Sequence, residues 1–301
     1  MGRVYRARSP CSTTRSARSG TSVAADRPCR TAGIGSGAVP RQDRLAPRPE
    51  PAGLDGRRSD VDALTAADVR HGPLPTHVAC VMDGNGRWAA QRGLPRTEGH
   101  AAGETALLDA VEGALELGIP WITMYAFSTE NWRRPVDEVR FLMGFNESLL
   151  VRRRDELHEK GVRIRFAGRR DRRVPRRVVR RMDESMALTE HNRGTTLTMA
   201  FNYGGRAEIV DAVRQVVEEG VEARRVDERA IRSRLYWPDQ PDPDLVIRTS
   251  GEHRISNFLL WQIAYSELVF DEVLWPDFRR GHLFAAVRDF QSRQRRYGGV
   301  G

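Results

Sequence analysis

The chain has 301 residues, with 49 Lys and Arg against 40 Asp and Glu and a formal net charge of +9, a length that fits one large domain or two small ones. The charge is uneven: residues 1–58 carry 12 Arg, no Lys and 4 acidic residues (Asp26, Asp43, Glu50, Asp55), a net of +8 that leaves about +1 for the rest. The high basicity therefore gives the folded part no claim on nucleic acid, and no apolar run is long enough to span a bilayer or to form a secretory signal.

The amino-terminal segment is rich in Arg, Ser, Pro, Gly and Ala and almost free of large apolar residues. It cannot bury enough surface to offset its ordering entropy, so residues 1–73 read as a disordered tail and linker, with a folded domain over 74–301. Composition suggests a non-functional extension or an over-long start; a basic arm touching anionic lipid is the functional alternative. Lys160 is the only lysine, and Cys11, Cys29 and Cys80 show neither metal-ligand spacing nor a disulfide framework. That usage fits a reducing cytosol.

From about Leu74, apolar strands alternate with amphipathic helices. The run His77–Met82 predicts a buried strand, followed by Asp83-Gly84-Asn85-Gly86-Arg87-Trp88 and a segment of helical pattern. Glycines there let backbone N–H groups close on phosphate oxygens, a helix N-terminus adds its dipole, Arg87 grips the same oxygens, and Asp83 anchors Mg²⁺. A tight turn capped by Asp83 is the plainer account of these residues alone. Arg96 and His100 fall at the head of a helix over Ala101–Leu117, where they reach a diphosphate or simply face water; His100 is also placed to buffer protons. A strand at Trp121–Phe127 runs into Ser128-Thr129-Glu130-Asn131-Trp132 and then Arg133-Arg134, of which one is expected to face the ligand and the other water.

A helix at Val136–Glu159, a strand at Val162–Ala167 and a helix at Pro175–Glu190 follow. Next come a strand at Thr196–Asn202 leading into Tyr203-Gly204-Gly205-Arg206, helices at Ala207–Glu219 and Glu228–Leu235, and a strand at Leu245–Arg248. After that strand come Arg248, Glu252, His253, Arg254 and Ser256, of which the two Arg and the hydroxyl suit a second diphosphate; an ion-paired loop built on Glu252 is the alternative. In a short strand near Glu267–Phe270, Glu267 sits amid apolar residues and needs either an Arg or a Mg²⁺ shared with Asp83. A helix over Gly281–Arg295 ends the pattern. Near-continuous apolar strands separated by helices imply a single α/β domain with a mostly parallel central sheet flanked by helices. Ligands of such sheets bind beyond the carboxyl ends of the strands, where the polar clusters fall. Phe141, Leu142, Met143, Phe145, Leu149, Leu150 and Met199 read first as core; an apolar tunnel is the alternative.

The blocks HVACVMDGNGRWA, GLPRTEGHAAG, YAFSTENWRRP, TMAFNYGGRAEIVDA, DLVIRTSGEHRISNFLLWQIAYSELVF and VLWPDF, with a terminal Arg296-Tyr297-Gly298, occur in order over about three quarters of the chain. In them the chain resembles the bacterial cis-prenyltransferase family, particularly its undecaprenyl and decaprenyl diphosphate synthases. The resemblance implies Mg²⁺-dependent, successive condensation of isopentenyl diphosphate onto an allylic primer such as farnesyl or geranyl diphosphate, making Z double bonds. It makes Asp83 the catalytic, metal-binding aspartate. Gly84, Asn85, Gly86, Arg87, Arg96, His100 and Arg134 would hold the allylic diphosphate, with Trp88 and Trp132 beside it. Asn131, with Ser128, Thr129 and Glu130, has the position linked to proton removal. Arg248, Arg254, Ile255 and Ser256 would hold isopentenyl diphosphate, and Glu267 would complete the metal site.

The family's Arg-x-Gly segment (Arg296 to Gly298 here) reaches into a neighbouring subunit, which implies a homodimer. The Asp-Asp-x-x-Asp motifs of trans-type synthases are absent: Asp239, Asp242 and Asp244 lie in a Pro-rich turn with other spacing. Ser250 stands where many bacterial members have Gly. The expected role is a cytoplasmic, membrane-peripheral enzyme making a long polyprenyl diphosphate for cell-wall lipid carriers. The alternatives are a short- or medium-chain synthase, a non-catalytic partner subunit and, last, a nucleic-acid role for the tail.

Overall fold

The computed structural model describes residue 61 and residues 63–293. The reading of residues 1–58 and the Arg296 and Gly298 assignments lie outside the described residues. Six strands, β1 (His77–Val81), β2 (Trp121–Ser128), β3 (Arg163–Ala167), β4 (Thr196–Tyr203), β5 (Leu245–Arg248) and β6 (Glu267–Phe270), form one sheet in the order β3-β4-β2-β1-β5-β6. All five pairings are parallel. Eight α-helices intervene among the described residues: α1 (Ala66–Val69), α2 (Asn85–Gln91), α3 (Arg96–Leu117), α4 (Val136–Glu159), α5 (Arg176–Thr189), α6 (Gly205–Glu218), α7 (Glu228–Arg232) and α8 (Arg280–Ser292).

The central strands are apolar on both sides because both faces are covered. Alternate residues Val78 and Cys80 of β1 join one buried cluster with α3 and α8, while Ala79 and Val81 join another with Tyr203, Phe258 and Leu259. Chain order along the sheet reverses at β1. After β1 the chain moves toward β2, and after β5 it moves toward β6, so the loops leaving β1 and β5 diverge and open a crevice between them. Helix α3 is drawn tightly against the start of α2: a Cβ on Gly99 would lie 2.0 Å from the Asn85 carbonyl oxygen.

The sequence placed the start of α3 at Ala101, but the helix begins at Arg96, because Pro95 (φ −58°) is already set for a helical start. Ordered structure also begins before residue 74. Val69 of α1 is buried, and its carbonyl accepts from Gln291 Nε2 at 2.6 Å. Among the described residues no helix is long and apolar enough to cross a membrane.

Candidate active site

The chain leaves β1 at Val81 and turns through Met82 and Asp83 to Gly84, the N-cap of α2, which sits at φ +108° where a side chain is disfavoured. The turn aims the Asp83 carboxylate into the crevice. One oxygen accepts from the Gly84 N–H at 2.7 Å and the other from Arg248 Nη2 at 2.8 Å. Thr249 clips the two strand ends together, since its hydroxyl accepts from the Asp83 N–H at 2.9 Å and donates to the Asp83 carbonyl at 2.6 Å. Burial works against ionisation of Asp83, but the Arg248 hydrogen bond and charge, helped by Gly84, outweigh it and hold the carboxyl below its usual range. Arg248 is 4 % exposed. Its Nη1 donates to Ser256 Oγ at 2.7 Å and to the Arg254 carbonyl, while its Nε and the Asn85 Oδ1 find no partner among the described residues.

These groups head a cavity of about 560 Å³. Its polar end is lined by Asp83 to Gly86, Arg96, His100, Ser128, Glu130, Asn131, Arg134, Arg248 and Ser256, and its apolar part by Leu107, Leu142, Phe145, Leu149 and Met199. The sheet therefore brings four separate strand ends and helix starts to one site. Arg134 faces the cavity and Arg133 is exposed, the division expected for that pair. Phe141 and Met143 pack in the core instead of lining the cavity, and the Leu150 side chain is outside the described part.

Glu138 of α4, which the sequence did not single out, gathers the cations at this end. It accepts from Arg134 Nη1 at 2.8 Å and lies 3.5 Å from Arg96 Nε and 3.6 Å from His100 Nε2. Burial, then the charge of Arg134, pushes the His100 pKa down to about 4 despite Glu138. The imidazole is neutral near pH 7 and does not buffer there. The other residues missed were Tyr125, Trp275 and Asn257. Asn257 stands at φ +62°, a conformation Asn tolerates better than most residues, and its Nδ2 donates to Glu130 Oε1 at 2.8 Å.

Several expected residues lie outside the cavity wall. Arg87 and Arg254 are exposed and both pair with Glu252, Arg87 at 3.7 Å. Trp88 donates from Nε1 to Asp277 at 2.8 Å, and Trp132 donates to Asn202 Oδ1 at 2.7 Å behind the Ser128 loop. Thr129 donates to its neighbour Glu130 at 3.2 Å, and Ile255 packs against the apolar cluster around Phe258.

Glu267 corrects the expected metal pair within one chain. It is the first residue of β6 and pairs in register with Leu245, whereas Arg248 pairs with Phe270. That sets it three residues back from the ligand end, roughly 10 Å along the strand. Its carboxylate accepts from Arg293 Nη1 at 2.8 Å, the Arg partner that its partly apolar surroundings called for. No group of three His, Cys, Asp or Glu able to hold a metal occurs among the described residues.

With this geometry in place, comparisons are decisive. The family model described as "Putative undecaprenyl diphosphate synthase" matches residues 81–298. The chain belongs to the cis-prenyltransferase family. It is 57 % identical over 231 residues to a trans,polycis-polyprenyl diphosphate synthase ((2Z,6E)-farnesyl diphosphate specific) of Thermobifida fusca (strain YX), covering 75 % of this chain and 82 % of the relative. It is 52 % identical over 229 residues to the decaprenyl diphosphate synthase of Mycobacterium leprae (strain TN), covering 75 % and 77 %. Among solved structures, lavandulyl diphosphate synthase from Lavandula x intermedia, in complex with dimethylallyl diphosphate, superposes with a TM-score of 0.72 at 33 % identity, covering 75 % of this chain and 99 % of that one. Like that cis-prenyltransferase, this one is an α/β domain, here with an all-parallel sheet.

Proposed function

We propose that this prenyltransferase condenses isopentenyl diphosphate successively onto an allylic diphosphate to give a Z-polyprenyl diphosphate. The observation that carries the reading is a single cavity with an ionised, Arg-paired Asp83 at its polar head and an apolar remainder. That is the shape of a substrate with a charged diphosphate and a hydrocarbon tail.

Mg²⁺ fits this head. The Asp83 side chain is 36 % exposed in the crevice, and its two oxygens accept from the Gly84 N–H and from Arg248 with lone pairs left over. Such an ion takes one or two carboxylates and completes its shell with phosphate oxygens and water, and when bound it would neutralise charge on the leaving diphosphate. Asp83 is the residue that would hold it. The N–H groups of Asn85 and Gly86, with Arg96 and Arg134 drawn from Glu138, orient the allylic diphosphate and stabilise the charge it takes as its C–O bond breaks. Arg248, Ser256 and Arg254 hold isopentenyl diphosphate so that its double bond faces the allylic carbon. A carbon–carbon bond then forms and a proton leaves the adjacent carbon. Asn131 is a poor base as an amide and acts by orienting; the departing diphosphate is an available acceptor.

We further infer a homodimer, a primer such as farnesyl or geranyl diphosphate, a long product for cell-wall lipid carriers, and work in the cytoplasm at the membrane surface. Retention of Asp83, Arg248 and Ser256 in contact argues against a non-catalytic partner subunit. The test is product analysis of the full chain with Mg²⁺, farnesyl diphosphate and labelled isopentenyl diphosphate, beside Asp83→Ala. A ladder ending at long chains and absent in the variant is expected; no incorporation by the folded protein would overturn the reading.

A further inference from the structure

Beyond the cavity lies a second, apolar void of about 20 Å³. Leu107, Leu149 and Met199 line both spaces and so form a partition one side chain thick between them. Leu107 comes from α3 and Leu149 from α4, and the partition stays closed only while these helices stay together. A charged clasp holds them there. Glu104, one turn before Leu107, lines the cavity and is 11 % exposed at its side chain; it accepts from Arg153 Nε at 2.7 Å and from Arg152 Nη2 at 2.6 Å. Arg153, one turn after Leu149, also lines the void, whereas Arg152 lines neither space. Glu104 stands eight residues past Arg96, roughly 12 Å along the helix from the diphosphate end.

We propose that the Glu104–Arg153 pair, clasping α3 to α4 across Leu107 and Leu149, is the distal stop of the cavity and sets the length of the product. This rests on the prenyl-transfer reading above. Each condensation pushes the hydrocarbon end of the chain one C5 unit further from the diphosphate head. To pass the partition, that end must part the two leucines and draw Arg153 off Glu104, leaving the largely buried carboxylate with only the half-exposed Arg152, which is costly. Growth then gives way to release.

The experiment compares product ladders and Tm for the full chain, Arg153→Ala, Arg153→Met, Glu104→Ala and Arg152→Ala. Arg153→Ala and Glu104→Ala are expected to shift the longest product upward by about one or two C5 units, since joining a small void adds little more room. Arg153→Met keeps the helix packing without the ion pair and is expected to shift in the same direction, which covers failure of the alanine variants to fold. Arg152→Ala is expected to leave the ladder where it was. If the unaltered chain makes a ladder and the Arg153 variants end at the same or a shorter length, the stop is overturned, with any fall in Tm marking a structural clasp only. If the unaltered chain incorporates no label, it is the prenyl-transfer reading that fails.

Discussion

Two arginines meet the same crevice in opposite states. Arg248 is buried and committed in advance, to Asp83, Ser256 and the Arg254 carbonyl. Arg254, six residues on, is exposed and shares the Glu252 carboxylate with Arg87. The first geometry is fixed before any ligand arrives; the second is held by exposed ion pairs that contribute little and exchange readily. A site of this design keeps its reacting end rigid and leaves its outer cations free to close on a diphosphate.

Substitutions separate the two states, and the largest effect belongs to the buried one. Arg248→Lys removes the planar fork that spans Asp83 and Ser256, so kcat/KM for labelled isopentenyl diphosphate should fall by about 10²–10³-fold. A fall under tenfold would show that preorganisation there counts for little. Arg254→Ala should raise KM for isopentenyl diphosphate about tenfold with a smaller change in kcat, as expected for an interaction made equally before and during reaction. An equal loss in kcat would place Arg254 with Arg248. The smallest shift is expected from Glu252→Gln, which frees both outer arginines: KM should drop by roughly two- to fivefold, the range of a surface pair, as read in initial-rate assays.

The pH dependence of folding sharpens the contrast between buried and exposed groups. Burial pushes the pKa of His77 and of His100 down to about 4, so both are neutral in the folded protein near pH 7. Between about pH 6.5 and 4 the unfolded chain binds protons that the folded chain excludes, and stability falls as pH falls through that window. Tm measured across it should drop steadily, and His77→Gln should flatten the slope by about half. An unchanged slope would mean that His77 is not excluded from protonation.

Much of this was legible in the sequence, because strand-end chemistry follows chain order. Asp83, Arg248 and Ser256 could be placed in one site from their positions after apolar runs alone, whereas Arg134 was told from Arg133 only by the resemblance. Glu267 could not, since a short apolar stretch does not reveal which of its ends faces the ligand; only the pairing of Leu245 with Glu267 does. Glu138 was hidden for another reason. An acid one turn into an amphipathic helix looks solvated until the neighbouring α3 brings Arg96 and His100 to it. The clasp at Glu104 escaped similarly, because pairs 48 and 49 residues apart leave no local pattern.

The contact between Gly99 and the Asn85 carbonyl has a consequence for protein engineering. With no room for even a methyl group between them, the diphosphate turn and the wall that shapes the hydrocarbon tail are machined to a common seam. A chimaera that imports a different α3 to change the product must therefore import the matching α2 turn as one cassette, because a mismatch at that seam would disturb the head of the site in the course of redesigning its tail.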